Sequence, residues 1–437
     1  MSRLPYEIQL NVFSRLEAFD QSSCEIVCKS WSYAASETLY RTVDLYGYSD
    51  VKRFYHCLIS NMSLTKPGFL KKIRINKQRY SSSRNTKDDF LAILTSCGNL
   101  KTLIFEDFDP KIYLKWMVDA KIKMPNIKQI GIHRNFRDEA LHNNYLQVML
   151  ANCESVTQLH INQNTTVNSN TMLQNIDRFP SLNKLTIESH NDIELNPILN
   201  NCKMLTQIKL KGCMKRLHVN NSRVGSHPCL QVLKISSLLF SADVCRFVFQ
   251  NMTELKVLTW ISPYSDPQDM HLLMTGLQRQ RIHPNNSLQT LVFQHFDGMS
   301  TQFLHSLPKY FSDLQNIRFK DCAFNGLWNQ KDNVCIDMSP LNLNKITIDI
   351  DNIVRCTPQI TNIFLQIKLG NGNTLYYVRS KGKLRLNYPF SRTYCTANTV
   401  KLKMAAITGA VITVQVKTLK LIEIHAENST NQTLIIQ

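Results

Sequence analysis

Eleven segments of this chain share one spacing, apolar-x-x-apolar-x-apolar, and begin at Leu70, Leu100, Ile127, Val156, Leu182, Leu205, Leu230, Leu255, Leu288, Leu314 and Leu343. Among them are Leu100-Lys-Thr-Leu103-Ile-Phe105, Leu182-Asn-Lys-Leu185-Thr-Ile187, Leu230-Gln-Val-Leu233-Lys-Ile235 and Leu288-Gln-Thr-Leu291-Val-Phe293. Successive starts lie 23 to 33 residues apart, which leaves room for a short alternating strand and a longer return. The returns carry i, i+3, i+4 stripes that predict helices: Phe90, Ile93 and Leu94; Leu146, Met149 and Leu150; Met172, Leu173 and Ile176; Val244, Phe247 and Val248; Phe303, Leu304 and Leu307. Strands that each return through a helix run the same way, so an α/β array is expected, a parallel sheet with helices on one face. Parallel strands sit roughly 4.8 Å apart and helices are roughly 10 Å across. Such an array curves, with strands on its concave side and helices on its convex side.

A repeat of this length resembles the leucine-rich repeat of the larger kind. Cysteine placement narrows the resemblance to the cysteine-containing subclass. Cys97, Cys153 and Cys202 lie three residues before a repeat start, and Cys213 and Cys322 lie three residues after a strand's last apolar residue. A small buried thiol is expected to fit a tight turn that a bulkier side chain would overpack. No Cys-x-x-Cys occurs, and Cys24 and Cys28 have no matching second pair, so no metal site and no cofactor are expected. After Ile348 the pattern loosens. Alternation at Ile363 to Leu369, Leu375 to Val378, Lys383 to Leu386, Val400 to Lys403, Val411 to Val416 and Leu419 to Ile424, around Gly-Asn-Gly and Lys-Gly turns, predicts a β-rich C-terminal cap or degenerate last repeats over residues 352–437.

The N-terminus breaks the repeat. Pro5 suits the start of a helix and Glu7 lies in its positive first turn. Ile8, Val12 and Leu16, with Phe13 beside them, make one apolar stripe, and Cys24, Val27, Cys28 and Trp31 make a second after Asp20. About forty residues rarely close a core of their own, so these faces need a partner. Spelled Leu4-Pro5-x-Glu7-Ile8, then Val12-Phe13, Leu16 and Cys28-Lys29-x-Trp31, the stretch from 1 to 42 resembles the F-box. Glu37 to Leu45 looks like the exit from an F-box into leucine-rich repeats. Gln21, Ser22 and Ser23 depart from the pattern, being polar where many F-boxes carry leucines. The alternative is an amphipathic cap that shields the first repeat. The organisation expected is an F-box-like helical module over 1–45, a leucine-rich-repeat solenoid of about eleven repeats over 46–351, and the cap over 352–437.

Formal charge is +18 and pI about 9.3, which favours acidic partners. No run of five basic residues appears and aromatics are not grouped with lysines, so nucleic acid is disfavoured. Thirteen cysteines without framework spacing read as reduced thiols, pointing to the cytoplasm or nucleus. The longest apolar run, Met404 to Val416, is broken by Thr408 and Gly409, and no basic-apolar leader precedes the first helix; neither a membrane span nor secretion is expected. No phosphate loop, nucleophile elbow, zinc-protease helix or dinucleotide fingerprint occurs, and His133 and His160 have no partner visible in the sequence. The chain does not read as an enzyme.

By resemblance, the chain is expected to be the substrate-recognition subunit of a Skp–cullin–F-box ubiquitin ligase. Leu4, Pro5, Ile8, Val12, Phe13, Leu16, Val27 and Trp31 would then bind a Skp-family adaptor, and through it a cullin. Strand residues between the inward-facing positions line the exposed face. They include Lys72, Arg74, Lys184, Lys209, Lys211, Lys234, Arg318, Lys320 and Lys345, against fewer acids, Glu106, Glu188 and Asp349. These basic residues would hold a target of acidic or phosphorylated character, or simply keep a broad sheet soluble. The rival function is a basic repeat scaffold that binds acidic protein or nucleic acid and assembles no ligase.

Overall fold

From Leu70 to Leu314, each repeat start is followed two residues later by a strand, whose alternate side chains are buried. The computed structural model describes residues 4–60, 67–76, 86–132, 138–162, 173, 175–189, 192–211, 217–218, 229–236, 242–262, 287–296, 301–322, 333–349, 362–372, 374–380, 409–425 and 432–435. His133, Met172, Cys213, Lys383 to Leu386 and Val400 to Lys403 lie outside the described residues. The chain divides into two compact units, Met1–Glu188 and Ser189–Gln437.

The first unit begins with three helices, α1 Tyr6–Phe13, α2 Ala18–Glu25 and α3 Lys29–Leu39. Strands β1 Thr42–Tyr46, β2 Lys72–Asn76, β3 Thr102–Phe105 and β4 Gln129–Ile132 then form a parallel sheet in chain order, and β5 Gln158–Asn162 pairs in parallel with β6 Lys184–Glu188. Helices α4 Tyr48–Ile59, α5 Thr86–Ser96, α6 Lys111–Asp119 and α7 Glu139–Ala151 alternate with the strands. Register aligns Val43, Ile73, Leu103 and Ile130 in one row, and Leu45, Ile75, Phe105 and Ile132 in the next. The helical stripes close over them, with Phe90, Ile93, Leu94, Leu146 and Met149 buried.

Two ladders join successive repeats. Lys101 N–H donates to Lys71 O at 2.8 Å, Lys128 to Lys101 at 2.7 Å, and Thr157 to Lys128 at 3.0 Å. A polar side chain just before the repeat start adds a second tie to the preceding repeat. Asn99 reaches Gly68 O and Asn126 reaches Gly98 O, both at 2.9 Å; Ser155 reaches Ile127 O at 2.8 Å and Ser181 reaches Glu154 O at 3.0 Å. Each of these bonds ties a backbone carbonyl of one repeat to a side chain of the next.

The cysteines three residues before a repeat start occupy a turn that closes by an N–H to C=O bond, as from Leu100 to Cys97 at 3.0 Å and from Leu205 to Cys202 at 3.1 Å. Small size is not what the position demands. Met124, Phe179, Met252 and Phe311 stand at the equivalent turn and are buried, so the shared requirement is apolarity.

In the second unit the parallel order is β8 Gln207–Lys211, β10 Val232–Ser236, β11 Val257–Ile261, β12 Thr290–Gln294, β13 Asn316–Lys320, β14 Asn333–Asp349, β17 Gly409–His425 and β15 Asn362–Leu369. Short strands β7 Ile193–Glu194 and β9 Leu217–His218 pair separately. Helices α8 Leu195–Asn201, α9 Ala242–Asn251 and α10 Thr301–Tyr310 carry the buried Val244, Phe247, Val248, Leu304 and Leu307. Inward, Trp260 and Phe319 lie 5.6 Å on either side of Phe293. Beyond the expected eleventh repeat, β14 runs through Leu343 for 17 residues, and β17 pairs with it from Asn333 opposite Val411 to Asp349 opposite His425. The Gly-Asn-Gly turn joins β15 to an antiparallel β16 Thr374–Ser380, with Gly372 at φ 84°, a left-handed backbone that suits glycine. Strand β18 Gln432–Ile435 pairs antiparallel with β17.

Candidate functional site

The apolar residues of α1 divide between two faces. Pro5 caps the helix and its carbonyl accepts from Ile8 and Gln9 N–H at 3.0 and 3.1 Å. Tyr6, Gln9, Leu10 and Phe13 turn inward. Phe13 is only 2% exposed and meets Trp31 edge to face at 5.4 Å, over the buried Ala34 and Ala35 of α3. Gln9 donates to Leu4 O at 2.7 Å and to Ser30 Oγ at 3.3 Å, which holds the residues entering the helix. Tyr6 hydroxyl donates to Glu37, whose carboxylate also pairs with Lys71 at 3.0 Å. Burial, followed by the Glu37 bond, pushes the Tyr6 hydroxyl up; burial opposes the charge of Glu37, but its bonds from Tyr6 and Lys71 outweigh that and hold the carboxyl below its usual range. Tyr33 packs on Phe69 at 4.9 Å, so the three-helix module is seated on the first repeats of its own unit.

The other face of α1 is apolar and uncovered. Leu4, Ile8 and Val12 are exposed, and so are Phe19 at 81%, Ile26 at 86% and Val27. Phe19 lies on α2, and Ile26 is the residue that follows its last turn. Of the residues expected to bind an adaptor, Leu4, Pro5, Ile8, Val12 and Val27 lie on the surface, Leu16 and Trp31 are half-buried, and Phe13 belongs to the module's core. The second predicted stripe is broken: α2 ends at Glu25 and α3 begins at Lys29, so Cys24 and Trp31 pack inward while Val27 and Cys28 face out. Sequence reasoning missed Phe19 and Ile26, because one lies on α2 and the other just past its end and no single helical stripe joins them. The polar Gln21 does not weaken α2. Its amide donates to the carbonyls of Phe13 and Leu16, each at 2.9 Å, bracing the turn that follows α1.

The basic strand residues occupy distinct settings. In the first unit Lys72 and Arg74 are half-buried on β2 and Lys184 is exposed on β6. Arg74 lies 3.5 Å from Asp44 and 3.8 Å from Glu106. His160 Nε2 lies 3.6 Å from Glu188 on the neighbouring strand, a partner the sequence did not reveal. In the second unit Lys345 pairs with Glu423 at 2.6 Å. Register sets Lys209 opposite Lys234 on the neighbouring strand, and burial first, then the charges of Lys209, Lys211 and Lys320, lower the pKa of Lys234. Arg318 and Lys320 are exposed on β13. Among the described residues no group of three or more His, Cys, Asp or Glu side chains could hold a metal ion, and no helix is long and apolar enough to cross a membrane.

A family model described as F-box-like matches residues 1–46, the three-helix module with β1. Among solved structures, the crystal structure of the Rad7 and Elc1 complex in yeast is similar at 13% identity and a TM-score of 0.40, covering 72% of this chain and 88% of that chain. No curated protein matches.

Proposed function

We propose that this chain is an F-box protein, the substrate-recognition subunit of a Skp–cullin–F-box ubiquitin ligase, with leucine-rich repeats forming the solenoid that binds the target. The observation that carries this reading is the uncovered face of the F-box-like domain, where Leu4, Ile8, Val12, Phe19, Ile26 and Val27 are all exposed. Large apolar side chains gathered on one small module mark a docking surface, and each buried square ångström is worth about 25 cal/mol. A Skp-family adaptor is the occupant that the F-box resemblance implies, and a cullin joins through it. The ligase chemistry then belongs to its partners. This chain holds a target beside a ubiquitin-charged enzyme and raises the effective concentration of the target's lysines, and no residue of its own touches the reacting atoms.

Co-expression with a Skp-family adaptor tests the proposal. The wild type is expected to co-purify one to one, while Leu4→Ala with Pro5→Ala, or Phe19→Asp with Ile26→Asp, loses the adaptor and keeps the fold by circular dichroism. A well-folded wild type that captures no adaptor would overturn it.

A further inference from the structure

We infer that the strand face around Lys209, Lys234 and Lys320 in the second unit docks an extended acidic segment of a protein partner. The inference deepens the proposed function by naming the class of target, and in that sense rests on it. Register places Lys209 directly opposite Lys234 on neighbouring parallel strands. Like charges so placed disfavour the folded sheet. Elsewhere on this sheet the fold supplies a carboxylate, Glu423 to Lys345, whereas Lys209 is opposed by another lysine. An anion from outside is the natural complement.

The cluster is also held in place. Lys234 Nζ donates to Gln294 Oε1 at 3.1 Å, the Gln294 amide nitrogen lies 2.9 Å from His295 Nε2, and His295 Nδ1 lies 3.4 Å from Asp321. His295 and Asp321 both take left-handed backbone, φ 60° and 51°, which residues other than glycine adopt at a cost. A half-buried ammonium braced across strands loses little freedom when it meets a carboxylate.

Shape and polarity favour a peptide over nucleic acid. Between the lysine pair on β8 and β10 and the cations of β13, the register row is neutral, the buried Thr259 and the half-buried Val292, with the half-buried Val257 beside them. From β8 to β13 is four strand spacings, roughly 19 Å, which about six extended residues cross at roughly 3.3 Å each. Acidic residues at the ends of such a segment and apolar ones at its middle match this order. Trp260, Phe293 and Phe319, the aromatic residues of these strands, point inward and are buried, so they offer no platform for bases.

The test uses the full chain with its adaptor and three fluorescein-labelled probes: a ten-residue peptide with glutamates flanking a Leu-Val-Leu centre, the same peptide with glutamine for glutamate, and a single-stranded DNA decamer. Fluorescence anisotropy is expected to show binding of the acidic peptide alone, weakened at least about tenfold by Lys209→Gln with Lys234→Gln. Lys345→Gln should leave it unchanged, and adaptor co-purification should be unaffected by either variant. Thermal melts check that the lysine variant is folded, with a melting temperature equal to or above that of the wild type because a repulsion has been removed. No binding of the acidic peptide, binding indifferent to the double substitution, or tighter binding of the DNA would each overturn the inference. Loss of adaptor binding with peptide binding intact would instead count against the ligase reading alone.

Discussion

His142 shows how one buried residue sets a pH response. It is fully buried on α7, and burial, followed by the nearby charge of His160, lowers its pKa from 6.5 to about 4. Between those values the unfolded chain binds a proton that the folded one refuses, so the stability this neutral ring contributes is full above pH 6.5 and is lost as pH falls towards 4. The difference amounts to on the order of 3 kcal/mol. Denaturant titrations at pH 7 and pH 4.5 should show His142→Leu losing less stability on acidification than the wild type; parallel losses would mean that His142 does not control the response. At the same scale Phe13 and Phe19 make a contrasting pair, two phenylalanines six residues apart with opposite surroundings. Phe13→Ala should cost about 3–5 kcal/mol of module stability, whereas Phe19→Ala should stay within about 0.5 kcal/mol, followed through Trp31 fluorescence.

At the scale of the element, a strand in this protein is defined as much by its neighbours as by its own residues. Four or five residues with alternating burial are short for an independent strand, and inside each sheet they persist because a strand is hydrogen-bonded to a near copy of itself on both sides. The side-chain ties at Asn99, Asn126, Ser155 and Ser181 act on the same boundary. Asn126→Ala leaves Gly98 O without its side-chain donor and should lower the stability of the first unit by about 1 kcal/mol, measured by denaturant titration; no change would show that water replaces the amide. The positions of the strands and of helices α5, α7 and α9 were legible from the repeat spacing and its helical stripes, because both periods are local. The way the N-terminal apolar residues divide was less so. Ile8, Val12, Leu16 and Phe13 read as one stripe, yet the apolar residues of α1 lie on two faces, and only contact with Trp31 and Ala34 decides that Phe13 goes in and Ile8 stays out.

Across the whole molecule, the C-terminal strands change what the repeats alone would do. A repeat array ends on an open edge whose unpaired groups invite aggregation. Here β17 covers β14 along its length, and Glu423 reaches both Lys345 and Thr347, the latter 76 residues away in sequence. A chain ending at residue 351 is therefore expected to associate and to melt without a sharp transition, by size-exclusion chromatography and thermal melting; a monodisperse, cooperatively folded product would show that β14 tolerates an open edge. The sequence by itself determined the parallel α/β repeat, the buried rows and the separate N-terminal helical module, since each follows from spacings within about thirty residues that recur along the chain. Tertiary structure alone decided that Phe19 and Ile26 join the uncovered face, that Gln21 ties off α1, that Lys345 meets Glu423 and that Lys209 meets Lys234. Those outcomes depend on which distant side chain the register brings alongside, and no local period carries that information.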